Sequence, residues 1–163
     1  MKNIIFELYK RESLASFLEF HKNNPDEKFV YVVQQPAPNI NILSASDFGY
    51  LVICLPNRDQ AIYSTAPYTQ KMKKNLQDFR KEDYLLAVGD PVIIGISTAV
   101  VSEVTNGQFN MLKWDRQERM YYPLTFDFNQ RLETGRQAFS SGGSTLTEEL
   151  KSFEYPKRIL EKL

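Results

Sequence analysis

Three stretches of the chain carry side chains with chemical potential. The first is Gly89-Asp90-Pro91, which follows the apolar run Tyr84–Val88 and precedes a second, Val92–Val104. A glycine turn between a strand and a helix is where open α/β sheets bind nucleotides and phosphates, on amides that no helical carbonyl has taken. Here Pro91 removes one of those amides, and Asp90 brings a negative charge to the place an anion would occupy. The same residues make an N-cap with proline at the first helical position. Tyr68 and Lys71 would add stacking and charge to a nucleotide-like ligand above Gly89 and Asp90. They sit on a basic stripe with Lys73, Lys74, Arg80 and Lys81, which a solvated helix face explains as well, because Asp78, Glu82 and Asp83 dilute the field.

The second stretch sets Trp114-Asp115-Arg116 close to Arg119, Tyr121 and Tyr122. Tryptophan, tyrosine and arginine dominate the centres of protein–protein interfaces. Trp114, Arg116, Arg119, Tyr121 and Tyr122 are therefore the candidate partner-binding residues, although cross-strand packing accounts for the rings without a partner. Asp115 and Glu118 have the spacing of an acid–base pair, but the neighbouring arginines hold both ionised. The third stretch, Phe139-Ser-Ser-Gly-Gly-Ser144, has serines but no strand–turn–helix elbow to activate one. With one histidine, His21, and one cysteine, Cys54, the chain offers neither a histidine-rich metal site nor a nucleophile–histidine pair. His21 reads as a satisfied residue near a helix C-terminus, and Cys54, inside the run Tyr50–Leu55, as a buried structural thiol. No catalytic residue, metal ligand or cofactor is assigned.

The bounds on the whole chain agree with a binding protein. It has 163 residues and 42% hydrophobic composition, enough for one core. Twenty basic residues balance twenty acidic ones, so no bulk field draws the chain to nucleic acid or to an anionic membrane. No apolar run approaches the length of a membrane span. Ile4, Ile5, Phe6 and Leu8 are interrupted by Glu7 and followed by Lys10-Arg11-Glu12, which is not a signal peptide, so the expected location is the cytoplasm.

The elements that position these residues follow from pattern. Met1–Tyr9 reads as a first strand, and Ser13 as the cap of a helix with Leu14, Phe17, Leu18 and His21 on one face, stopped by Asn23-Asn24-Pro25. Lys28–Gln34 is a strand built on the apolar run Phe29–Val33, Pro36-Ala37-Pro38 an extended polar loop, Ser44–Gly49 a turn or single helical turn, and Tyr50–Leu55 a buried strand. Ala61-Ile62-Tyr63 is a short extended segment, after which Thr65-Ala66-Pro67 opens a helix to about Lys81 with Tyr68, Met72, Leu76 and Phe79 on its inner face. Tyr84–Val88 is a doubly covered strand, and Val92–Val104, apolar around nearly its whole circumference, a largely buried helix. Asn106-Gly107 ends that helix, and two antiparallel strands follow to Phe128. The expectation is an α/β fold with a mixed sheet, a central βαβ unit and an antiparallel hairpin. Its core would hold Val30, Val32, Val52, Cys54, Leu85, Ala87, Ile93, Ile94, Val100, Val101 and Leu112. Residues 1–128 form this domain, and 129–163 a glycine-rich and serine-rich linker with a short helical tail capped at Thr145-Leu-Thr-Glu148.

The string Val88-Gly-Asp-Pro-Val-Ile-Ile-Gly, followed by Asn106-Gly and by Leu112-Lys-Trp-Asp-Arg-Gln-Glu-Arg-Met-Tyr-Tyr-Pro, resembles a family of uncharacterised tailed-bacteriophage proteins over roughly Tyr84–Phe128. The resemblance implies a viral origin and an infected-cell setting, and it transfers no functional residues. The functional expectation is a non-enzymatic phage accessory protein that binds another protein, either a second copy of itself or a host or viral complex. The alternatives are a nucleotide-like ligand at the Gly89-Asp90-Pro91 turn and a structural place in the virion.

Overall fold

In chain order the elements are β1 (Ile5–Glu7), α1 (Arg11–Asn23), β2 (Phe29–Gln34), a 3-10 helix (Leu43–Asp47), β3 (Tyr50–Leu55), α2 (Ala66–Asn75), β4 (Tyr84–Leu86), α3 (Pro91–Val104), β5 (Gln108–Asp115) and β6 (Met120–Asp127). This is a computed structural model, and the structure describes residues 3–130. The strands form one mixed sheet in the order β1-β3-β2-β4-β5-β6, parallel except for the β5–β6 hairpin. β2 lies at its middle and is buried at all six positions, as an unbroken run of apolar residues demands of a strand covered on both faces. β4, α3 and β5 make the expected βαβ unit, with Tyr84, Leu85 and Leu86 beside Asn110, Met111 and Leu112.

The three α-helices of the described residues lie on one face. There Phe17, Met72, Leu76, Ile93, Val100 and Val101 pack against Phe29, Tyr31, Val33, Val52, Leu85 and Phe109 of the sheet. Among the described residues the other face carries only the 3-10 helix and its approach, with Ile42 and Ala45 over Val30, Val32, Leu51, Ile53, Leu86 and Leu112. Three connections run one way along the sheet by way of the helical face, and the β2–β3 connection runs back by way of the other. All four therefore turn with the same hand, as parallel crossovers do.

Several local expectations are corrected. Ser13 does not cap α1: Lys10 is the cap residue, and the Ser13 hydroxyl accepts from the Glu7 amide (2.7 Å), tying the helix to β1. Leu18 turns to solvent, and Phe20 packs on the core instead. α2 stops at Asn75, and Leu76 and Phe79 reach the core from the turns beyond it. Residues 61–63 form no strand, and Tyr63 stands fully exposed at positive φ. Ala87 is exposed and Ile94 only half-buried, because β4 ends at Leu86 and α3 is a surface helix. Its buried stripe is Ile93, Ser97, Val100 and Val101, while Val92 and Val104 face outward. The linker and tail expected over 129–163, with the serines of Phe139–Ser144, lie outside the described residues from 131 onward.

One buried charge holds the amino ends of β2 and β4 together. Asp83 accepts from the amides of Phe29 (3.0 Å) and Arg80 (2.9 Å), and the Arg80 guanidinium donates to the carbonyls of Pro25 and Glu27. Burial raises the Asp83 carboxyl above its usual value, against the opposing pull of those two amides and the guanidinium.

Candidate functional site

β2 leaves the sheet toward the thinly covered face, whereas its neighbours β3 and β4 leave toward the helices. Strand ends that part in this way open the crevice in which α/β sheets bind ligands. In this protein a side chain fills it. Gln34 is 2% exposed; its Nε2 donates to the carbonyls of Pro56 (3.2 Å) and Asp59 (2.8 Å), and its Oε1 accepts from the Asp90 amide (2.5 Å). Gly89 is required for that approach: at φ +134° it presses on Gln34, and a β-carbon would stand 2.2 Å from Oε1. Asp90 Oδ1 accepts from the amides of Val92 (2.9 Å) and Ile93 (3.1 Å), and the Asp90 carbonyl from that of Ile94. The donors that would hold an anion at the start of α3 are thus engaged within the protein.

Tyr68 and Lys71 are together, but Lys71 serves a different hollow, which Tyr68 does not line. Lys71 Nζ lies 5.1 Å from the centre of the Tyr68 ring and 3.8 Å from Asp59 Oδ2. It lines a hollow of about 350 Å³ at the carboxyl ends of β1 and β3, with Tyr9, Arg58 and Lys74. Lys71 connects to the Gly89 turn only through Asp59, whose carbonyl accepts from Gln34.

A cleft of about 760 Å³ opens where β5 runs past the end of β4. After Leu86 the chain turns on itself, with Val88 N donating to Leu86 O, and stays against β2 through the bond from Gln34 N to Val88 O. The hairpin continues away from it, and the gap between them is the cleft. Leu86–Val88 form one wall, Leu112–Trp114 with Tyr121 the other, and Asn39–Asn41 the rim.

Three of the five predicted partner-binding residues, Trp114, Arg116 and Tyr121, meet in this cleft; Arg119 and Tyr122 do not line it. Trp114 and Tyr121 stand opposite each other in the β5–β6 register, their rings 4.9 Å apart and edge to face. The pair divides its labour. Tyr121 is buried, which raises its hydroxyl above the usual value, while Trp114 remains 40% exposed. Asp115 serves the turn, its Oδ1 accepting from the amides of Gln117 (2.8 Å) and Glu118 (3.1 Å), and Arg119 takes positive φ to close it. His21 packs between Phe17 and Phe29, and its Nε2 is buried with no hydrogen-bond partner among the described residues, so it is not the satisfied histidine expected. Cys54 is fully buried, and burial raises its thiol far above the usual range.

The rim Asn39-Ile40-Asn41 and the wall at Ala87 and Val88 were not foreseen as site residues. The alternation Ile40-Asn41-Ile42 was a signal that this loop has an inner side.

The sequence matches the family described as Phage Pam3 gp32-like protein over residues 28–128, and the chain belongs to that family. The match runs from β2 to the end of β6 and contains every residue of the large cleft. No curated protein and no solved structure matches the chain.

Proposed function

We propose that this phage protein is a non-enzymatic accessory factor that acts in the infected cell by binding another protein through the face of its sheet that carries no α-helix among the described residues. One observation carries the reading. On that face Ile5 (41%), Ile40 (45%), Leu43 (50%) and Trp114 (40%) remain exposed around two hollows that flank the loop 36–43, one of them the large cleft. Apolar side chains gathered on one face and rimmed by polar residues are the usual mark of a docking surface. Among the described residues no helix is long and apolar enough to cross a membrane. The nucleotide-like alternative at Gly89 has less support, since Gln34 occupies the crevice and Asp90 takes the helix amides.

The test is recovery of the tagged full chain from infected cells, followed by mass measurement of whatever accompanies it. A defined complex is expected, and Trp114→Ala with Arg116→Ala should reduce its recovery while the circular dichroism of the chain stays unchanged. A monomer with no partner under those conditions would sink the proposal. A partner retained in full by the double variant would move the surface elsewhere.

A further inference from the structure

We infer that the cleft receives an extended, acidic segment of a partner polypeptide, which pairs as a short added strand with β5 at Trp114. This deepens the binding reading above and rests on it. The hairpin fixes which backbone groups face the cleft. The Phe128 amide donates to the Gly107 carbonyl (2.9 Å), so the residues that exchange bonds with β6 are those in phase with Gly107: Phe109, Met111 and Lys113. Pro123, which has no N–H to give, stands opposite Leu112 in the other phase, where β6 needs none. Both observations turn the main-chain groups of Asn110, Leu112 and Trp114 toward β4. Asn110 and Leu112 lie beside Tyr84 and Leu86, but Trp114 lies beyond the last residue of β4. Its N–H and C=O therefore look into the cleft, without a partner among the described residues.

An unpaired donor and acceptor on a strand edge, beside an apolar trough, is the arrangement that captures an extended peptide. The side chains state its composition. Alternate residues of the guest fall on the Trp114 side, against Leu86, Leu112 and Tyr121, and the others fall on the Lys113 side. Lys113 and Arg116 line the cleft and, among the described residues, no carboxylate does, so acidic residues complement it.

The experiment selects from a random short-peptide display library on the immobilised full chain and then measures synthetic peptides in solution. Trp114 is the sole tryptophan, so its emission reports the site. Enriched sequences should alternate apolar residues with aspartate or glutamate. Such a peptide should give a saturable change in emission and slow hydrogen exchange at the Trp114 amide. Arg116→Glu should weaken it about tenfold, and N-methylation of its alternate amides, in one of the two phases, should abolish binding. Enrichment of basic or helically patterned peptides, an unchanged Trp114 emission, or full binding by both N-methylated forms would each overturn strand addition. So would strong protection of the Trp114 amide in the chain alone, because the position would then already be covered by the chain itself or by a second copy. If a protein partner is still captured from infected cells, those results remove strand addition and leave the binding reading standing; loss of both removes both.

Discussion

Gln34→Ala should lower the stability of the domain by about 3 kcal/mol. The side chain is 2% exposed and takes part in three hydrogen bonds, to Pro56 O, Asp59 O and Asp90 N. A typical intramolecular bond contributes about 1 kcal/mol net, which gives about 3 for the set. Loss of the buried γ-methylene adds about 0.8 kcal/mol, and water entering the emptied crevice returns a similar amount by satisfying the freed groups. The assay is urea unfolding. With m values of about 1–3 kcal/mol per molar, the midpoint should fall by about 1–3 M at unchanged m. Gln35→Ala is the internal control: that side chain is exposed and receives only the Tyr9 hydroxyl at 3.2 Å, so its effect should stay within about 0.5 kcal/mol. Gln34→Glu keeps the volume and the acceptor for Asp90 but sets a carboxylate against two carbonyls, and it should be no better tolerated than alanine above pH 7. A loss below about 1 kcal/mol for Gln34→Ala at constant m, or ready acceptance of glutamate, would refute the reasoning. The crevice would then be held by something other than these bonds and would be open to a ligand after all.

Three further outcomes follow from buried groups. Tyr31 has its hydroxyl fully buried with no partner among the described residues, so Tyr31→Phe should stabilise by about 1 kcal/mol and raise Tm by about 2–4 °C, read by calorimetry; a loss would show that the hydroxyl is bonded. Asp83 has a carboxyl raised in the folded state from an ordinary value of 3.8, so its favourable contribution is complete below that value and is lost as pH rises through the folded one. The advantage of the natural chain over Asp83→Asn in urea should therefore shrink upward from about pH 4 and then level off, and an advantage that grows with pH would reverse the sign. Cys54 should react with a disulfide-exchange reagent only at the rate at which the domain opens, and prompt labelling in native buffer would contradict its burial.

What was legible in the sequence was local. Gly89, Asp90 and Pro91 each fix one backbone choice, and together they place the start of α3 to the residue; Asn106 and Gly107, both at positive φ, fix its end. The period-two pattern from Phe109 to Phe128 likewise yields the hairpin and the meeting of Trp114 with Tyr121. Gln34 was illegible, because a glutamine after five apolar residues looks like the solvent end of a strand. Its burial depends on two loops 22 and 56 residues away. The cleft was hidden for a related reason. It exists because β4 stops three residues before β5 does in their shared direction past Leu112, and nothing in Leu86-Ala87-Val88 says where pairing ceases. The outward face of α3 misled in the opposite direction, since Val92 and Val104 satisfy an apolar pattern without being covered.

Pro123 has a consequence at the other margin of β6. The phase that frees it from donating to β5 turns Tyr121, Pro123 and Thr125 toward the outer margin of the sheet, so a missing N–H falls in the middle of an eight-residue row. The opposite margin, β1, is three residues long. A ribbon growing copy upon copy would have to begin at one of these two margins, and neither presents an unbroken ladder. This sheet is thereby guarded against fibre formation even with Met120 and Phe128 standing bare beside it.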